Sequence, residues 1–213
     1  MDFLQLLQER YTCKHYDPAK KVSREALTKI LEAGRLSPSA VNLQPWRFIV
    51  IERPEDKAKL EPGIMQTNKL RFADVPTVVL ICAPITNPNS DVEQVLNKEE
   101  ADGRFPDLAA KDAQRAGRCH FRDLHLHDAL TWNAKQCYIA MTSMLYAAWS
   151  LGVDSTPVEG FESAKVNAAF NLPQQGLSCE LIVFLGHRKE DDSNQLKFRP
   201  KSRLAFEDVV TYL

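Results

Sequence analysis

Four basic side chains stand near the two ends of the chain, Arg10 and Lys14 at one and Lys201 and Arg203 at the other. Arginine offers a planar fork of donors that matches phosphate oxygens, and lysine adds a compact point charge. Brought together by folding, the four would hold one phosphate. Left apart, they are solvated surface charges. A second concentration is SPSAVNLQPW at 37–46, with small hydroxyl, amide and aromatic groups in one loop. Such a loop can offer hydrogen bonds to a polar ring system, anchored by Pro45 and Trp46. It can equally be a turn with Trp46 as a core plug. A third is PVEGF at 157–161. Gly160 lets backbone approach a flat ligand, and N–H groups there donate without titrating. The plain alternative is a turn.

Other chemistries find less support. His120, His125 and His127 are interleaved with Asp123 and Asp128, all possible zinc or iron ligands. The order is not HExxH, however, and only His120/Asp123 and Asp123/His127 fall at helix-face spacing. A polar helix face is expected, and no metal. There is no GxSxG, GxGxxG or GxxxxGKS motif, so serine hydrolase, Rossmann and P-loop readings have no basis. Cys13 beside Lys14 reads as a plain thiol, because no histidine partner is placed for it.

Several elements must position these residues. Residues 2–10 read as a short amphipathic helix with Phe3, Leu6 and Leu7 on one face. Ser23 is a candidate N-cap for a helix over 24–36, in which Gly34 hints at close packing. RFIVIE at 47–52 is a β-type run. Residues 54–57 read as a turn leading into a helical stretch. VPTVVLICA at 75–83 is the clearest buried strand, followed by loop over 84–92. Charged helices are expected at 93–103 and 107–127. The longest helix is expected over 129–151, with Gly152 closing it. A short helix at 162–170 and a strand at 179–187 follow, then a polar tail over 188–213. The absence of a βαβ rhythm argues for α+β rather than a doubly wound sheet. A long polar tail is often held by a partner surface.

The bulk numbers agree with a single domain spanning 1–213. Lys and Arg total 27 against 28 Asp and Glu, so a whole-protein basic field for nucleic acid is absent. Five scattered cysteines, at 13, 82, 119, 137 and 179, form no CxxC and suit reduced thiols in a cytosol. The N-terminal residues lack a basic start followed by an apolar run, so no signal peptide is expected. The apolar stretch from Ala134 to Leu151 contains Lys135 and Gln136, and reads as a buried helix rather than a membrane span.

Taken in order, RYTCKHYD at 10–17, SPSAVNLQPWRF at 37–48, PVEGF at 157–161 and PKSR at 200–203 resemble the nitroreductase family. ADGRF at 101–105 and WNAKQ at 132–136 are similar to its branch of oxygen-insensitive NAD(P)H nitroreductases and dihydropteridine reductases. The resemblance implies an α+β fold with a central, mostly antiparallel sheet flanked by helices. It implies a cytoplasmic homodimer whose C-terminal extension reaches the partner subunit, with FMN at the interface. By position, Arg10, Lys201 and Arg203 would grip the FMN phosphate, with Tyr11 and Thr12 lining the phosphate and ribityl chain. Lys14 would face the N1–C2 carbonyl edge. Asn68 and Arg71 would contact the ring from the same subunit. Pro38, Ser39, Asn42 and Gln136 would come from the other. The segment Pro157, Val158, Glu159 and Gly160 would bring the Glu159 and Gly160 N–H groups near N5 and O4. Phe121, Val41 and Thr67 would shape the substrate pocket.

The chain departs from the family pattern at Ala40 (often Ser), Arg71 (Lys), Tyr11 (His) and Thr67 (aromatic). The implied activity is ping-pong hydride transfer from NAD(P)H through the flavin to a small nitroaromatic or quinone. Lys14 and Arg71 would act as electrostatic stabilisers, and no side chain as acid or base. The alternatives are a flavin reductase of the same fold and a non-catalytic flavin-binding protein.

Overall fold

The computed structural model describes residues 2–213. Among them, nine α-helices surround one four-stranded sheet with strand order β1-β2-β4-β3 and all neighbours antiparallel. The strands are β1 (Arg47–Ile51), β2 (Thr77–Pro84), β3 (Asp154–Val158) and β4 (Leu177–Gly186). β2 and β4 are the central pair. Their apolar runs are buried on both faces, which explains why they read as continuous rather than alternating.

On one face, Val79, Ile81, Leu181, Val183 and Leu185 pack against α2 (Arg24–Arg35) and α7 (Ala129–Ser150). On the other, Val78, Leu80, Ile182 and Phe184 pack with Leu60 of α3 (Pro54–Leu60), Phe72 of α4 (Gln66–Asp74) and Val166 of α8 (Ser163–Ala169). α5 (Asn89–Ala101) and α6 (Leu108–Asp123) form a pair, with Val92 and Leu96 joining Leu43 and Trp132 in a separate cluster. α1 (Phe3–Glu9) lies against α7, and α9 (Phe206–Val209) is a single turn in the tail.

Local signals explain most boundaries. Ser23 Oγ accepts the Ala26 N–H at 3.1 Å and caps α2. α7 stops where Gly152 adopts φ +71°, with the Val153 N–H returning to the Ala148 carbonyl. Gly34 lies where an added Cβ would meet Met144 of α7 and Phe48 of β1, which is the close packing its place in a helix suggests.

Other expectations need correction. Residues 153–158 carry β3, an element not anticipated there. Asp154 and Pro157 disguise it, yet proline is tolerated because β3 is outermost. Residues 54–57 are not a turn before a helix but the start of α3, with Pro54 in its first turn. α5 begins at Asn89 inside the expected loop, and α6 ends at Asp123, four residues short of the expected 127. Among the described residues, no helix is long and apolar enough to cross a membrane.

Gly186 gives a test of the packing. A Cβ there would lie 2.8 Å from both Pro76 Cδ and Tyr16 Cδ1, two rigid rings. Gly186→Ala is expected to destabilise by about 1–3 kcal/mol, as overpacking does. Gly117→Ala, on the open face of α6 with nothing nearby, is expected to stabilise by about 0.5–1 kcal/mol. Urea melts of the two variants check both signs.

Candidate functional site

The fold closes the two ends of the chain on each other. Past β4, the Lys189 N–H donates to the His15 carbonyl at 2.9 Å, and the Asn194 amide to the Thr12 carbonyl at 2.7 Å. Asp192, with no exposure, accepts the N–H groups of Lys14 at 3.0 Å and His15 at 3.2 Å. Lys201 Nζ donates to the carbonyls of Leu7 and Arg10. Arg10, Tyr11, Thr12, Lys201 and Arg203 therefore line one cleft of about 200 Å³. Lys14, Thr67 and Arg71 line a second of about the same volume. Arg199 borders both.

Positive charge is concentrated here, only partly offset by the buried Asp192 carboxylate. Among the described residues, Arg10, Lys14, Arg71, Arg199, Lys201 and Arg203 form no ion pair, whereas most other surface cations near a carboxylate do. Burial lowers the Arg10 pKa, Tyr146 opposes this, and Arg203 adds to it. Burial also lowers Lys201, with Arg10 and Arg203 contributing. Lys14 is lowered by burial and then by Arg71, against the opposing pull of Asp192. One Arg10 Nη1 and the Tyr11 hydroxyl are buried without a hydrogen-bond partner. Tyr11 itself is turned inward, edge-on to Trp149 and under Arg188.

Arg71, on the second cleft, is tied through Asn68 to the backbone at 159–160. Asn68 donates to the Gly160 carbonyl at 3.1 Å and accepts from Arg71. A Cβ at Gly160 would lie 2.4 Å from Asn68 Nδ2, so any other residue would displace this amide from the carbonyl. The N–H groups of Glu159 and Gly160 make no hydrogen bond among the described residues. Pro157 and Val158 lead into this segment as the end of β3. The Glu159 carboxylate accepts from the Tyr138 hydroxyl and pushes that phenol up to about 12.

The loop residues gather elsewhere. The Ala40 N–H donates to Gln136 Oε1 at 2.9 Å, Gln136 Nε2 donates to Trp132 O at 3.1 Å, and Ser39 Oγ accepts the Gln44 N–H at 2.9 Å. Asn42 donates to Glu99 at 2.6 Å. Pro38 and Val41 belong to the same turn, and Phe121 is half exposed on α6 beside His120. Among the described residues, no hydrogen bond or ion pair joins this group to the two clefts. The histidines do not converge either. His125 stacks on Trp132 and bonds Asp128 at 3.0 Å, and no group of three metal-binding side chains forms among the described residues.

A sequence profile of the Nitroreductase family matches residues 7–187. The chain belongs to the nitroreductase family. It is 36% identical to an oxygen-insensitive NAD(P)H nitroreductase of Enterobacter cloacae, with 99% of each chain covered. It is 35% identical to the major NAD(P)H-flavin oxidoreductase of Aliivibrio fischeri, over 97% of this chain and 96% of that one. A solved structure from Exiguobacterium sibiricum, described as a nitroreductase in complex with FMN, superposes with a TM-score of 0.87 at 24% identity. It covers all of this chain and 98% of that one. The fold is therefore nitroreductase-like and the chain an oxidoreductase of that family.

Within this chain, motif reading overlooked Asp192, Asn194 and Arg199. All three lie in the stretch read only as polar tail, and no local signal separates a buried aspartate from a solvated one. Arg71 departs from lysine with a structural consequence. Its guanidinium bonds the Asn68 amide and so remains oriented, which a point charge would not achieve. Because Arg71 depresses Lys14, Arg71→Gln is expected to raise the Lys14 pKa. NMR titration of the lysine side chain checks this, and an unchanged or lower value would contradict the placement.

Proposed function

We infer that this nitroreductase uses FMN to take hydride from NAD(P)H and reduce small planar acceptors, nitroaromatics or quinones, in a ping-pong sequence. The observation that carries the reading is the ring of six unpaired cations around two adjoining clefts, faced by free backbone N–H groups. Partly buried positive charge in excess of the one buried carboxylate, Asp192, calls for an anionic ligand. The unsatisfied Arg10 Nη1 fits a phosphate oxygen. The free N–H groups of Glu159 and Gly160 fit acceptor atoms on a polar ring.

FMN, when bound, supplies the redox chemistry of hydride uptake and electron release. Arg10, Lys201 and Arg203 would hold its phosphate, and Tyr11 and Thr12 would line the approach to it. Tyr11 would do so mainly by packing, given its inward ring. Lys14 and Arg71, both partly buried, would stabilise negative charge building at the ring edge. Asn68 and the stretch Pro157, Val158, Glu159 and Gly160 would fix the ring's position. No side chain serves as acid or base, and water supplies protons. Donor and acceptor would use one binding face in turn, which makes the sequence ping-pong.

A homodimer would complete the site. Pro38, Ser39, Asn42 and Gln136 would reach it from the second copy, with Val41, Phe121 and Thr67 shaping the acceptor pocket. Both ends of Gln136 are already engaged within its own chain, so its part would be to hold the loop. Two features support the dimer. The tail exposes Leu204, Phe206, Val209 and Tyr212. A groove of about 640 Å³, lined in part by Leu31, Leu43, Trp46 and Phe48, lies beside the outermost strand β1. The C-terminal extension of one copy would lie across the other.

The similarity to a flavin oxidoreductase favours one second reading, a flavin reductase that releases reduced FMN. Retention of FMN through turnover separates the two. A flavin-binding protein without turnover would fail to oxidise NADPH with menadione, where this reading expects oxidation with parallel double-reciprocal plots. Arg203→Ala is expected to weaken FMN binding by the apoprotein about tenfold or more, the loss of a charge-assisted hydrogen bond. Riboflavin, which lacks the phosphate, should bind the variant as it binds the wild type. Lys14→Gln should slow bleaching of the loaded enzyme by NAD(P)H while leaving the melting temperature nearly unchanged. An unaltered single-turnover rate would refute the role given to Lys14.

A further inference from the structure

Among the residues that line the two clefts, only Arg199 lines both. Its place is set by the chain around it. The Gln195 N–H returns to the Asp192 carbonyl at 3.2 Å, and the N–H groups of Phe198 and Arg199 both return to the Gln195 carbonyl at 2.9 Å. Two successive turns thus lead from the buried Asp192 to Arg199. Pro200 follows and restricts the Arg199 backbone. The side chain is exposed, and among the described residues it forms no hydrogen bond or ion pair. It lies close enough to Lys14 to lower that lysine's proton affinity, after burial and Arg71 and against the pull of Asp192.

A ligand with its phosphate in the first cleft and its ring in the second must pass Arg199. Oxidised FMN brings one anionic group, the phosphate. Reduction places further negative charge at the ring edge that Lys14 would face. A cation confined to the first cleft, such as Arg203, meets a phosphate whose charge is the same in both redox states. A cation at the junction is attracted by both charges, and Coulomb attraction grows as the second appears.

We propose that Arg199 is a bridging cofactor-binding residue, contacting the FMN phosphate from a position also within range of the ring edge, so that it holds reduced FMN more tightly than oxidised FMN. The inference deepens the FMN reading above and rests on it. Its consequence is retention: the flavin is held hardest in the state that a flavin reductase would release.

The test is anaerobic calorimetric titration of the full-length apoprotein, at low ionic strength, with oxidised FMN and with dithionite-reduced FMN. Arg199→Gln should weaken the oxidised form about tenfold, the loss of one charge-assisted hydrogen bond. It should weaken the reduced form about thirtyfold, the extra threefold being what one exposed charge pair supplies. That excess should fade at about 1 M salt, where screening reaches within about 3 Å. Arg199→Lys, which keeps the charge, and Arg203→Ala, which acts on the phosphate alone, should each weaken the two forms equally. Equal losses in Arg199→Gln would overturn the proposal, and so would no loss in either form. Both forms are compared on one preparation, so a folding defect cancels from the ratio. A wild type that takes up neither form would instead overturn the reading on which the proposal rests.

Discussion

Everything at the candidate site depends on holding the two ends of the chain together, and the buried Asp192 carboxylate is the centre of that closure. One of its oxygens accepts the N–H groups of Lys14 and His15. The 10–16 segment is thereby fastened to the stretch after β4, and Tyr16 is driven into the core, where its hydroxyl meets Thr156 at 2.7 Å. Burying a carboxylate is costly unless its hydrogen bonds are made. Two backbone donors meet part of that cost, and the surrounding cations offset more. The other Asp192 oxygen, Oδ2, is buried without a hydrogen-bond partner, and the same closure sets Lys14 facing Arg71 and Arg10 beside Lys201.

The assembled cations then oppose one another. Beyond the effect of burial, Arg203 lowers the proton affinity of Arg10, Arg10 and Arg203 lower that of Lys201, and Arg71 lowers that of Lys14. A fold that tolerates such repulsion gives up stability in the empty protein and recovers it when an anion binds. Gly160 belongs to the same economy of space. Its missing side chain lets Asn68, oriented by Arg71, reach the backbone carbonyl.

How much of this the amino-acid sequence reveals follows from the range of each signal. The central strands β2 and β4, the capped helix α2 and the long helix α7 announce themselves through local pattern. β3 does not, because Asp154 and Pro157 are poor strand residues whose fitness comes from the Arg188 ion pair and an edge position. The clefts show a similar division. Arg10, Lys14, Lys201 and Arg203 stand out by type, and their convergence was legible only through likeness to a known family. Asp192 and the Glu99–Arg118 pair were invisible, since their importance lies in partners 178 and 19 residues away along the chain, and so was Arg199, which matters only through the clefts it borders. The loop 37–46 drew notice for its composition, while the positive φ of Val41 and Asn42 emerges only from the folded backbone.

The central claim is that the cationic clefts hold FMN and present it to NAD(P)H. The most direct test is the visible absorption spectrum of the purified protein after FMN addition and desalting, recorded before and after anaerobic NAD(P)H. The account predicts retained yellow flavin bands that bleach on adding the nucleotide. A protein that stays colourless after FMN is offered would contradict it, leaving the family's fold without its cofactor.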